Sequence, residues 1–200
     1  LTKKQPAATL PKGKAQFQTA IEKPRSGKAG EATALGNANY RIASGWELTD
    51  DLSNLLGNAS VFTEAINSKG WYDAVVPGTV LTSLVAAGKF PDPYFGLNNM
   101  AITDSLCRKE WWYRTTFETP KNENGKLAWL WFNGINYKAR VWLNGKYLGD
   151  IKAAFIRGKF NVTDHLKTNG RNVLLVQIMP PHNPGIPDEQ SALSGMGKNG

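Results

Sequence analysis

One cysteine, Cys107, and two histidines, His165 and His182, stand in a chain of 200 residues. A lone cysteine cannot close an internal disulfide. It sits before a strand, in SLCRKEWWYRTTF, with no evident histidine partner, and so reads as a small buried hydrophobe rather than a nucleophile. No Cys/His spacing suits a metal ion, and neither a metal nor another cofactor is expected. No apolar run approaches the roughly 18 residues that span a bilayer. No charged start followed by an apolar stretch marks an export signal, so an exported form would have lost its signal already. The G-x-S-x-G elbow, the phosphate loop and the dinucleotide fingerprint are all missing.

What is present is aromatic and mildly basic. Seven Trp, six Tyr and eight Phe supply flat apolar surface that serves equally for a core or for stacking on sugar rings. The net charge is +8, but residues 1–40 hold seven Lys/Arg against two Asp/Glu, while residues 41–200 hold seventeen against fourteen. The excess therefore lies in a tail rather than on a folded face, and nucleic-acid binding is not expected.

The densest patterning runs from Lys126 to Leu166. Leu127, Trp129 and Trp131 alternate with Ala128, Leu130 and Phe132, which predicts a strand buried on both faces with its tryptophans in the core. From Tyr137 to Leu143, Tyr137, Ala139, Val141 and Leu143 share one side and Lys138, Arg140 and Trp142 the other, the period of a half-buried strand. Trp142, on the mixed face, is a candidate for packing against a neighbouring domain. Asn144-Gly145 suits a type I′ turn into a returning strand, Lys146 to Ile151.

Elsewhere the signals are shorter. Residues 1–38 are rich in Lys, Pro, Ala, Gly and Thr and poor in large apolar side chains, and read as a flexible leader or linker. Part of this stretch is expected to lie as an extended strand on the domain, with Ala15, Phe17, Ala20 and Ile21 as anchors. The globular part is expected over 39–200. Strands are predicted over Tyr40–Leu48 with Trp46 inward, over Trp71–Val76, over Glu110–Thr119 with Trp111, Tyr113 and Phe117 on alternate positions, and over Arg171–Met179. Thr79 is placed to cap a helix over Val80–Ala87 that stops at Gly88. Thr163 is placed to cap one turn at Asp164–Leu166. The loop KFPDPYFGLNNMAITDS, Lys89 to Ser105, either recognises a ligand or covers a sheet edge. From Pro180 the chain has no strand or helix period, which reads as a domain cut before its last strand.

Paired carboxylates for sugar hydrolysis would need to sit about 5–10 Å apart. Asp50-Asp51 and Asp188-Glu189 are adjacent only in turn-like contexts, so no catalytic residue is assigned in this chain.

The order of motifs resembles the N-terminal sugar-binding domain of glycoside hydrolase family 2. The residues carrying the likeness are VPGTVLTSL (Val76 to Leu84), FPDPYFGLNN (Phe90 to Asn99), DSLCRKEWWYRTTF (Asp104 to Phe117), FNGINYKARVWLNGKYLGD (Phe132 to Asp150) and FNVTDHL (Phe160 to Leu166). The Phe90–Asn99 loop and HNPGIPDEQS, His182 to Ser191, look closer to β-mannosidases and exo-β-glucosaminidases than to β-galactosidases.

The resemblance implies an all-β jelly-roll sandwich of the galactose-binding-domain kind, with one or two short helices. It also implies downstream immunoglobulin-like and (β/α)8 barrel domains in the same polypeptide, the barrel holding the two glutamates of a retaining exo-glycosidase. An oligo- or polysaccharide is the implied substrate, and the periplasm or surface of a bacterium the implied location. Asp92, Tyr94, Asn98 and Asn99, with His182 and Glu189, become candidates for proximity to substrate, through ring stacking and paired hydrogen bonds. Packing between domains is the competing reading for all six. A stand-alone carbohydrate-binding or interaction module is the alternative for the chain as a whole.

Overall fold

The computed structural model describes residues 17–51, 59–62, 70–120, 126–153 and 155–180. These residues form strands β1 (Ala32–Gly36), β2 (Asn39–Ile42), β3 (Glu47–Thr49) and β4 (Tyr72–Asp73), then helices α1 (Val80–Ala86) and α2 (Ser105–Arg108). Strands β5 (Trp111–Glu118), β6 (Trp129–Phe132), β7 (Lys138–Leu143), β8 (Lys146–Ile151), β9 (Gly158–Asn161) and β10 (Arg171–Met179) follow. The all-β expectation with short helices holds. One antiparallel sheet has the order β4-β3-β5-β10-β7-β8, β6 pairs with β9 alone, and β1 with β2 forms a separate hairpin.

Strand β10 lies inside the large sheet, hydrogen-bonded to β5 on one side and β7 on the other. Its sequence RNVLLVQIM explains the place. Val173, Leu174, Leu175 and Val176 are apolar on both faces, and none is more than 3% exposed. Leu174 and Val176 enter the main core with Leu48, Tyr113, Val141 and Ile151. Leu175 points the other way, to Val61 and Trp71. Each such side chain contributes about 1.5–3 kcal/mol on burial.

The turn between β7 and β8 is as predicted, with Asn144 and Gly145 at φ 52° and 82°. Asn144 does more than turn: its Oδ1 accepts from Val173 N–H at 2.8 Å and its Nδ2 donates to the His165 carbonyl at 2.8 Å. Helix α1 also forms as predicted. Thr79 Oγ1 accepts from Thr82 N–H at 3.0 Å, and Gly88 follows the helix at φ 74°.

Strand β6 departs from expectation on one face. Among the described residues it is paired only with β9, and Trp129 and Trp131 are 43% and 50% exposed. The inner face behaves as predicted: Leu130 and Phe132 pack on the main core, and the Phe132 ring meets Phe160 edge-on at 6.1 Å. The second layer sits close to the first here. A Cβ on Gly158 would fall 2.3 Å from Ile151 Cδ1. Outside, Lys159 holds its ammonium 4.1 Å from the Trp129 ring centre and 4.8 Å from that of Trp131.

Other differences have local causes. The strand expected over Tyr40–Leu48 breaks at Ser44-Gly45, where the backbone of Ala29-Gly30 passes; a Cβ on Gly45 would lie 2.1 Å from Gly30 N. The strand expected over Trp71–Val76 is only Tyr72–Asp73. Thr163 does not cap its turn. It donates its hydroxyl to Asn161 Oδ1 at 2.7 Å and accepts from Ala128 N–H at 2.9 Å, tying β9 to the chain entering β6. Trp142 is half-buried, 5.6 Å from the Trp112 ring and 5.5 Å from that of Tyr147, which leaves part of it available to a neighbouring domain.

Residues 17–31, part of the stretch read as a flexible leader, run extended along the domain. Lys23 N–H donates to the Ala87 carbonyl at 2.8 Å and Gly30 N–H to the Thr116 carbonyl at 2.7 Å. The position chosen as the boundary, 38/39, falls within the β1–β2 hairpin. The anchors are backbone groups and the polar side chains of Glu22, Lys23, Arg25 and Ser26 rather than large apolar residues; Phe17 and Ile21 remain 61% and 79% exposed. Composition therefore carried little signal for this contact.

The most buried of these charges is Arg25. Its Nε lies 2.9 Å from Glu47 Oε1, and Arg114 Nη1 lies 3.5 Å from Glu47 Oε2. Beside them Ser26 donates both N–H and Oγ–H to Asp73, which pairs across the sheet with Glu47. Burial pushes the Glu47 carboxyl above its ordinary pKa, and the two guanidinium groups pull it back part of the way.

Candidate functional site

The loop from Lys89 to Ser105 is ordered by its own hydrogen bonds. Asp92 Oδ1 accepts from Tyr94 N–H at 3.0 Å, an Asx-type turn that Pro91 and Pro93 stiffen. The Asp92 carbonyl accepts from Phe95 N–H at 3.2 Å and from Asn98 Nδ2 at 2.9 Å. Asn98 Oδ1 in turn accepts from Gln18 N–H at 2.9 Å. A single amide therefore holds the loop closed and joins it to the segment that precedes the strands.

The four candidates described here separate into two kinds. Asn98 is completely buried, with both ends of its amide engaged, so it shapes the loop rather than presenting a group outward. Asp92, Tyr94 and Asn99 are exposed, and Tyr94 at 96% projects freely. Phe95, Leu97 and Met100 are also exposed, so the loop presents an apolar surface with Asp92 and Asn99 beside it in sequence. His182 and Glu189, and the segment His182–Ser191, lie outside the described residues.

The loop rests on firm supports. At its start Lys89 N–H donates to the Leu84 carbonyl at 2.8 Å. The Lys89 ammonium lies over the Tyr72 ring, 5.6 Å from its centre, and 3.6 Å from Glu22. Its pKa is raised, first by its interaction with Tyr72 and then by Glu22. At its end α2 packs Leu106 on the main core, and Trp111 Nε1 donates to the Leu106 carbonyl at 2.9 Å. Cys107, expected to be buried, is instead exposed on this helix, because it is the neighbouring Leu106 that packs on the core; its thiol is directed at the Asp104 carbonyl.

Several carboxylates elsewhere are engaged in structural pairs. Asp50 meets Lys109 at 2.7 Å. Glu47 lies between Arg25 and Arg114, and Asp73 accepts from Ser26. Asp150 accepts from the Tyr147 hydroxyl and from Lys152, which hold it below the usual carboxylate range. These acids stabilise loops and strand ends.

The outer face of β6 and β9 carries side chains that the sequence reading assigned to the core. A usable signal was in β9. Lys159 and Asn161 alternate with Phe160, so one face of β9 is polar, and the face of its partner on the same side is then solvent-facing too.

Residues 60–196 match the family model described as glycosyl hydrolase 2 galactose-binding domain-like. The chain is 42% identical over 127 residues to a mannosylglycoprotein endo-β-mannosidase from Lilium longiflorum, covering 61% of this chain and 13% of that protein. It is 32% identical over 158 residues to an exo-β-D-glucosaminidase from Streptomyces avermitilis, covering 78% of this chain and 16% of that protein. Among solved structures, a β-D-mannosidase from Dictyoglomus thermophilum superposes with a TM-score of 0.54 at 31% identity, over 68% of this chain and 15% of that one. The chain thus spans 13% to 16% of the length of these relatives.

Proposed function

Because the chain belongs to the glycosyl hydrolase 2 galactose-binding domain-like family, we propose that it is the non-catalytic N-terminal domain of a retaining exo-glycosidase acting on terminal β-linked sugars. In this reading the reacting glutamates lie in a downstream (β/α)8 barrel, beyond an immunoglobulin-like domain, and the protein works in the periplasm or at the cell surface. The observation that carries the proposal is the Lys89–Ser105 loop. It is clamped from within by buried Asn98, yet it displays Tyr94, Phe95, Leu97 and Met100 outward. A rigid loop with an apolar crest suits a docking edge at an active-site entrance, and Asp92 and Asn99 are the groups on it able to meet sugar hydroxyls.

The test is hydrolysis of 4-nitrophenyl β-mannoside and β-glucosaminide. The polypeptide continuing past Gly200 should cleave one of them, and the chain ending at Gly200 neither. A stop codon directly after Gly200 would overturn the proposal in favour of a self-standing module. Exo action is tested separately by product size. The lily relative is named an endo-enzyme and the Streptomyces relative an exo-enzyme, so release of single sugars alone from an oligosaccharide supports exo action, and release of longer pieces contradicts it.

A further inference from the structure

We propose that the outer face of the β6–β9 pair binds carboxylate-bearing oligosaccharide chains. Trp129 and Trp131 stand two residues apart on one side of β6, about 7 Å along the strand. Both indoles keep about half their surface open, at 43% and 50%. In the register Lys159 lies opposite Trp131 and Asn161 opposite Trp129, so two rings, an ammonium and an amide form one face. The ammonium reaches both rings, at 4.1 and 4.8 Å. No carboxylate of the described residues is within ion-pair distance of it. Arg157, exposed and two residues before Lys159, adds a second positive charge at the strand's start.

The chemistry selects the occupant. A purely apolar partner would bury the Lys159 ammonium without a counter-ion, which is strongly unfavourable. A sugar ring offers a C–H face to an indole and keeps its polar groups at the rim, where the Lys159 ammonium and the Asn161 Nδ2 can donate to them, the Asn161 Oδ1 being taken by Thr163. Two indoles in line along a strand suit successive rings of a linear chain. The uncompensated cation then prefers rings carrying carboxylates and disfavours amino sugars. The face belongs to strands other than those flanking the Lys89–Ser105 loop, and the inference does not depend on hydrolysis by a longer protein.

The experiment is titration of the chain, labelled with ¹⁵N, with a hexamer of β-1,4-linked mannuronate and with neutral mannohexaose, followed through indole N–H signals. Two indole signals should move on adding the mannuronate and vanish from the spectra of Trp129→Ala and Trp131→Ala respectively. Mannohexaose should bind about tenfold more weakly, and Lys159→Gln should bring mannuronate down to that level. The preference should fade as salt is raised. Lys159→Gln alters only an exposed side chain, so it keeps the test decisive should a tryptophan variant fail to fold. Equal affinity for the two sugars, binding unchanged in Lys159→Gln, or no signal change at millimolar mannuronate would each overturn the proposal.

Discussion

Strands β10 and β6 both read as apolar on two faces, and only one is buried on two faces. In β10 the run Val173–Val176 is flanked by hydrogen-bonded neighbours on both sides and covered by side-chain clusters above and below. In β6 the run Trp129–Phe132 has, among the described residues, one partner strand and one covered face. The difference lies less in hydrophobicity than in residue type and neighbours. Val and Leu have no polar atom and pack well against a pleated surface. Trp carries an N–H and a polarised ring face, and it tolerates a wet boundary where a cation can lie on it.

The contrast is most sharply tested by truncation in each strand. Leu174→Ala should lower stability by about 2–5 kcal/mol, because the cavity opens in the main core. Trp131→Ala, although it removes more atoms, should cost about 1 kcal/mol or less. Urea unfolding followed by far-UV circular dichroism measures both, and equal losses would erase the distinction.

A second test works on Tyr113, which pairs with Val176 of β10. Burial pushes its hydroxyl pKa up to about 12 from an ordinary value of 10, despite a hydrogen bond with Ser83. The folded pKa is the higher one, so the contribution is intact below pH 10 and is lost as pH rises to 12. The expected loss is about 2–3 kcal/mol. Tyr113→Phe should flatten that part of the stability–pH curve, and a curve unchanged by the substitution would contradict the burial argument.

Asn98→Ala carries the comparison from strands to the loop. It removes the acceptor for Gln18 N–H and one donor to the Asp92 carbonyl, for an expected loss of about 1–3 kcal/mol. Limited proteolysis should show new cleavage between residues 89 and 105. The smallest effect belongs to Lys159→Ala on the open face of β6. Losing the cation over two indoles should cost about 0.5–1 kcal/mol, and the tryptophan emission spectrum should shift.

The strands that lie in the large sheet were readable because each announces its inward face. Trp111, Tyr113 and Phe117 alternate, as do Ala139, Val141 and Leu143, and Asn144-Gly145 dictates its turn. The helix was readable from Thr79 and Gly88 at its ends and from Val80, Leu81, Leu84 and Val85 on one face. Two features were not. Residues 17–31 lie on the domain, but through backbone groups and the polar side chains of Glu22, Lys23, Arg25 and Ser26 instead of the apolar anchors expected, and a chain has no local pattern that shows where its amides will pair. Asn98 looked like a sugar-binding amide because amides suit that role, but its oxygen is engaged by the backbone N–H of Gln18, eighty residues away in sequence. Tyr94, Asp92 and Asn99, read from the same stretch, are the ones placed outward.

The anomeric form of the first product tests the functional account most directly. Proton NMR during hydrolysis of 4-nitrophenyl β-mannoside or β-glucosaminide by the polypeptide extending past Gly200 should show the β-anomer appearing first, while the chain ending at Gly200 leaves the substrate intact. Initial release of the α-anomer, or hydrolysis by the shorter chain, would contradict it.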